Sequence, residues 1–212
     1  MDTFDLIKKE AEEILLTSES SHDWEHTERV LNMCLRLGEK EKADLEVLRL
    51  AAVLHDIGRE QEHISKGKIC HAQTGSELAK DILLRYNLDN EKINKIIHCI
   101  QSHRYRGDNL PKSKEAKILF DADKLDAIGA TGIGRAFLFA GSVNAKLHNG
   151  DVDIEKTNAY TNEDTAFREF TVKLKKVKDR LLTNEGKKIA EDRHNFMVGF
   201  FDRLDKETTG QL

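Results

Sequence analysis

Residues 50–60 read LAAVLHDIGRE. The apolar run Leu50–Leu54 leads straight into His55-Asp56; Ile57-Gly58 follows, and then charge. An imidazole and a carboxylate each cost several kcal/mol to bury unpaired. A helix that ends by carrying both inward needs a reason, and a metal ion is the usual one. Adjacent side chains on a helix point about 100° apart. They can share one ion only if it sits off the helix end, as neighbouring ligands of a roughly octahedral ion. Gly58 suits a chain that leaves the helix there. The stretch by itself leaves a second reading open, a core histidine hydrogen-bonded to its neighbour.

Around this stretch lie 212 residues, enough for one large domain or a domain with an appendage. Hydrophobic residues make up 39% and charged residues 34%, which favours a soluble globular protein over disorder or a membrane. No apolar run approaches the ~18 residues of a spanning helix, and MDTFDLIKKEAEEILL reads as an amphipathic helix, not a signal peptide. Cys34, Cys70 and Cys99 show no paired spacing, and the odd count fits a reducing cytoplasm. A net charge of −4 without a basic block argues against a dedicated nucleic-acid binder. The single Pro and apolar spacings of three and four predict a chain that is nearly all helix.

The first predicted helix is Thr3–Leu16, with TSESSHD behind it as a loop. Ser21 or Asp23 could cap the next helix, Trp24 to Gly38, on which His26, Val30 and Met33 or Cys34 share a face. Asp44 caps the helix that carries His55-Asp56 at its end. Arg59 to His71 has no clear period and reads as a loop over the site. Helices follow over 72–86 and, capped by Asn90, to about His103; RYRGDNLP is a basic loop. Ser113 caps Lys114–Ile128, where Asp123 lies beside the buried face. Gly129, Gly132 and Gly134 suit a helix break and close packing, not a phosphate loop, because no strand precedes them and no Gly-Lys-Ser/Thr follows. Residues 149–161 are the longest polar gap and the plausible seam. Phe167, Phe170, Leu174, Val177 and Leu181 form a helical stripe suited to a core or to a homodimer surface. The last helix carries Ile189, Phe196, Met197, Phe200 and Leu204.

His26, His55, Asp56 and Asp123 each sit on a face or helix end that also carries the local apolar stripe. Core helices that converge would bring all four to one point. Two imidazoles and two carboxylates suit a divalent ion such as Mn, Fe, Co, Ni or Zn better than calcium, with Mg also admissible. Such an ion keeps positions open for water and substrate.

The order His26, His55-Asp56, Asp123, with DADKLDAIGATGIGRAF around the last aspartate, resembles the HD-domain metal-dependent phosphohydrolase superfamily. The likeness is to the short stand-alone hydrolases, including their nucleoside-triphosphate pyrophosphohydrolase branch. It covers about residues 21–147 and, more weakly, the C-terminal helices. It implies a single all-α domain over residues 1–212: a helical core around the metal, and a C-terminal extension over about residues 161–206.

The resemblance further implies His26, His55, Asp56 and Asp123 as metal ligands, with Asp121 a neighbour that caps or pairs. Where some relatives carry a catalytic Glu, three residues after the HD aspartate, this chain has Arg59. Glu60 follows it and is only a secondary candidate. His71 and His103 are candidates for a general acid, for phosphate binding, or for a second metal bridged through Asp56. Arg29, Lys66, Lys68, Asp126 and Arg135 are candidate substrate contacts. His22, His63, His148 and His194 read as surface residues, and His98 cannot share a face with His103.

The expected activity is pyrophosphohydrolysis of nucleoside triphosphates in the cytoplasm, on a small-molecule nucleotide, without nucleic-acid or membrane partners. The alternatives are phosphodiester hydrolysis of a cyclic nucleotide or alarmone, and a ligand-sensing module.

Overall fold

The computed structural model describes residues 2–16, 24–104 and 109–212. Among these every regular element is helical and no strand occurs, as the periodicity predicts. The candidate caps Ser21 and Asp23 lie outside the described residues, as does the middle of the basic loop, 105–108. No described helix is long and apolar enough to cross a membrane. Two compact units are distinguished, residues 1–123 with 182–185, and residues 124–181 with 186–212.

The first unit contains α1 (Thr3–Leu16), α2 (Trp24–Glu41), α3 (Leu45–Leu54), α4 (Arg59–Ile64), α5 (His71–Arg85), α6 (Asn90–Ser102) and most of α7 (Lys114–Asp126). Its centre is α3, which packs against α1, α2, α5 and α6. Val47, Leu48 and every residue from Leu50 to Leu54 are buried, as befits a helix whose second half is apolar on all sides. Each such Leu or Val contributes roughly 1.5–3 kcal/mol by leaving water. Asp44 starts α3 as expected, its Oδ1 accepting from the Glu46 and Val47 amides at 3.0 and 3.1 Å.

Several local expectations are corrected. Helix α2 does not stop at Gly38 but continues to Glu41. A Cβ on Gly38 would stand 2.5 Å from Leu48 Cδ1, so this glycine admits α3 and does not end α2. Residues 59–64 are not loop but form α4. The cap of α6 is Asp89, not Asn90: its Oδ1 takes the Lys92 amide at 3.0 Å. Gly58 has φ −91°, not the left-handed conformation of a C-terminal glycine. It is needed for proximity, since a Cβ would lie 2.4 Å from the His71 carbonyl oxygen and 2.5 Å from the Gly75 nitrogen.

The second unit holds α8 (Gly129–Ser142), α9 (Ala166–Val172) and most of α10 (Asn184–Thr208). Gly129, at φ 78°, makes the break before α8. The stripe Phe170, Leu174, Val177 and Leu181 is buried, but α9 ends at Val172 and two 3₁₀ turns carry the rest. Lysines at 173, 175, 176 and 178 would put like charges one turn apart on a continuous helix. On α10 the buried positions are Gly186, Ile189, Ala190, Met197 and Phe201, whereas Phe196 is exposed. Phe201 stacks on Phe170 at 4.5 Å between centroids. His148 is not a surface residue: it pairs with Asp205 at 2.9 Å and its ring packs on Phe167. Residues 149–161 lie inside this unit, and Arg168 ties them down by donating to Thr157 Oγ1 at 2.7 Å and to its carbonyl at 3.1 Å.

Candidate metal centre

Helix α3 ends at Leu54 and His55 is its C-cap. The ring folds back, and Nδ1–H donates to the Ala52 carbonyl at 2.7 Å. That carbonyl belongs to the last turn, where no amide within the helix is left to meet it. Burial pushes the His55 imidazole down to about 4, so the ring is neutral near pH 7. With the proton held on Nδ1, the lone pair sits on Nε2 and points away from the helix.

What Nε2 meets is a set of donors. His26 Nε2, from the first turn of α2, is 3.4 Å away, and Asp56 Oδ2 is 3.5 Å away. His26 Nε2 is in turn 3.7 Å from Asp56 Oδ2 and 3.5 Å from Asp123 Oδ1. The four predicted residues are thus brought together inside the first unit. His26, His55 and Asp56 are buried, and Asp123, with 13% of its side chain exposed, stands at the open edge. Lone pairs and carboxylate charges converging in a buried space call for a cation. The set of two imidazole nitrogens and two carboxylate oxygens fits a divalent ion of the Mn-to-Zn series. The ligand atoms of His26, His55 and Asp123 lie close enough together to hold one ion, as do those of His55, Asp56 and His103.

His71 and His103 join the cluster. Their Nε2 atoms are 3.2 Å apart, and each is 3.5 Å from Asp56 Oδ1. The rings of His26, His55, His103 and His71 run in a row with centroids 5.4, 5.1 and 5.2 Å apart. Burial, then the neighbouring Arg59, pushes the His71 imidazole far down against the opposing pull of Asp56.

Three residues that the sequence reading did not assign to the site complete this side. Glu62 Oε2 accepts the His71 Nδ1–H at 2.6 Å, Arg104 Nη2 lies 2.8 Å from Glu62 Oε1, and Arg59 Nε lies 2.9 Å from Asp56 Oδ1. Asp56 lies in the turn three residues before α4, and Arg59 and Glu62 follow it at i, i+3 on that helix. This spacing becomes legible once residues 59–64 are read as helix.

Glu60 is half-buried on α4, while Lys66 and Lys68 are exposed in the turn behind it. Arg29 is half-exposed on α2 beside Glu25. Asp126 and Arg135 belong to the second unit and pair with each other at 2.6 Å. His98 Nε2 accepts the Lys112 amide at 3.0 Å. Asp121 takes the Leu182 and Thr183 amides and the Thr183 hydroxyl at 2.6–2.8 Å, pairing with the stretch before α10. Cys99 is fully buried, which pushes its thiol up to about 12.

Residues 23–128 match the HD domain family. YpgQ of Bacillus subtilis strain 168 is 38% identical to this chain over 213 aligned positions, covering 95% of each. The crystal structure of B. subtilis YpgQ in complex with ADP superposes with a TM-score of 0.74, at 30% identity, over 97% of this chain and 94% of that one. An HD-superfamily hydrolase from Bacillus thuringiensis gives a TM-score of 0.78 at 28% identity, covering 97% and 96%. With half its length matching the family and a relative this similar over nearly all of it, the chain belongs to the HD-domain superfamily of hydrolases.

Proposed function

We propose that the chain is a metal-dependent nucleotide phosphohydrolase that cleaves nucleoside triphosphates at the α-phosphorus, giving monophosphate and pyrophosphate. The observation that carries this reading is the convergence of His26, His55, Asp56 and Asp123, with the His55 lone pair fixed toward the others. The complex of B. subtilis YpgQ with ADP supports a nucleotide as substrate class. A divalent ion bound by the four residues supplies Lewis-acid polarisation of a phosphoryl oxygen and a water of lowered pKa.

The chain's own residues do the rest. Asp123, at the open edge, is where substrate reaches the donor set. The water oxygen bonds to the α-phosphorus and the bond to the bridging oxygen breaks. His71 and His103 accept the proton that water releases or protonate the leaving pyrophosphate. Arg104 offsets its developing charge, and Arg29, Lys66 and Lys68 are the candidate phosphate contacts. A net charge of −4 otherwise gives a polyphosphate few places to bind.

The test is a panel of ribo- and deoxyribonucleoside triphosphates and cyclic nucleotides with Mn²⁺, with phosphate and pyrophosphate assayed separately. Monophosphate and pyrophosphate in equal amounts are expected. Orthophosphate as the sole product would overturn the reading, and cleavage of a cyclic nucleotide alone would replace it with a phosphodiesterase.

A further inference from the structure

Asp56 has two carboxylate oxygens with different surroundings. Oδ2 faces His26 and His55 at 3.7 and 3.5 Å. Oδ1 faces His71 and His103, each at 3.5 Å, and their Nε2 atoms are 3.2 Å from one another. Two imidazole nitrogens and one carboxylate oxygen at such spacings are the beginnings of a second cation site. His71 is fixed for that use, because Glu62 holds the proton on its Nδ1. His103 is fixed likewise, with Nδ1–H on the Ile100 carbonyl at 2.6 Å.

That half of the centre already has a cation. Arg59 Nε lies 2.9 Å from Asp56 Oδ1, with Nη1 3.4 Å from Glu62 Oε2. Glu62 is braced from its other oxygen by Arg104 at 2.8 Å. Guanidinium stays charged at any pH the protein meets, and here it lies within ion-pair distance of both carboxylates. The turn into α4, closed by the Arg59 amide on the Asp56 carbonyl at 3.0 Å, puts Arg59 beside Asp56, and Glu62 lies one helical turn beyond Arg59. We propose that Arg59 is the built-in cation of this second half-site, so that the chain takes one divalent ion and not two. A second ion would have to displace Nε from Oδ1 and then lie beside a fixed positive charge in a buried space, where repulsion is weakly screened. His71 and His103 thereby stay available for protons and phosphate. The inference rests on the reading of Asp56 as a metal ligand.

The experiment is Mn²⁺ titration by calorimetry, with electron paramagnetic resonance at saturation, on the full chain and on Arg59→Met and Arg59→Ala. The parent should bind one Mn²⁺ per chain and give the spectrum of isolated ions. Either Arg59 variant should take up a second, weaker ion with the signature of a coupled pair, lost again in Arg59→Met combined with His71→Ala. Two ions in the parent would overturn the proposal while leaving the metal centre standing. So would a single ion in both variants, shown folded by circular dichroism. No ion in the parent would overturn it together with the metal reading.

Discussion

His55 and His103 make the same bond at the ends of two different helices. Each is the C-cap of its helix, and each donates Nδ1–H to the carbonyl three residues back, Ala52 at 2.7 Å and Ile100 at 2.6 Å. One local device thus satisfies a last-turn carbonyl, selects the tautomer and turns Nε2 into the cluster. Both rings also bring their Nε2 to a helix C-terminus, the end whose dipole favours a cation.

An ion held by four folded-state ligands stabilises the fold by mass action. Mn²⁺ at a hundred times its Kd should add about 2.7 kcal/mol, read as a rise in Tm that a chelator reverses. The double variant His55→Ala, Asp56→Ala should lose that rise and retain no metal in elemental analysis. An unchanged metal content would remove the ligand assignment.

Asp121 and Asp123 are two residues apart and should fail differently. Asp121 accepts from the Leu182 and Thr183 amides and the Thr183 hydroxyl. Asp121→Ala should therefore destabilise by at least about 3 kcal/mol, since each bond to a charged group is worth roughly 1.5–3 kcal/mol, with Mn²⁺ affinity retained in the folded fraction. Asp123→Ala should abolish turnover and leave the urea midpoint of the chelated protein nearly unchanged. The opposite pattern would mean that the two roles are exchanged.

Acid should destabilise the metal-free protein before its carboxylates titrate. Burial holds the His55 imidazole at about 4 and pushes His71 down as well, whereas both titrate near 6.5 in the unfolded chain. The unfolded state therefore binds more protons below about pH 6.5, and stability present above that pH is lost as pH falls toward 4. The slope is up to about 1.4 kcal/mol per pH unit for each histidine. Urea midpoints with chelator present should fall between about pH 7 and 5, and less steeply in His55→Gln. A flat profile would contradict the neutral buried rings.

Gly58→Ala places a methyl group 2.4 Å from the His71 carbonyl oxygen and 2.9 Å from the Gly75 Cα, both backbone atoms that cannot rotate away. The start of α5 must shift, and overpacking of this kind costs typically about 1–3 kcal/mol. Because His71 is the first residue of α5, turnover should fall along with the urea midpoint. Parent-like values of both would show that α5 can move freely.

If His71 transfers the proton, His71→Ala should lower kcat by about 10²–10⁴-fold while Mn²⁺ affinity changes little. Equal losses in kcat and metal affinity would make it a ligand instead.

The sequence by itself determined the helical class and which residues could be ligands. Spacings of three and four are local properties of a chain with one proline, and an apolar run ending in His55-Asp56 has few uses in a core. It also marked Asp44 as a cap and Asp123 as lying beside a buried face. Tertiary structure alone decided the surroundings. The ring row from His26 to His71 draws on α2, α5 and the ends of α3 and α6, which no local pattern relates. Glu62 rather than Glu60 meets His71 because α4 forms where the polar sequence suggested loop. Gly58 and Gly38 read as helix terminators, yet both are there for close approach: Gly58 to the backbone of α5, Gly38 to leucines of α3. A glycine's signal is ambiguous in one dimension, because missing a Cβ serves a turn and a contact equally well. Only packing tells which of the two is in use.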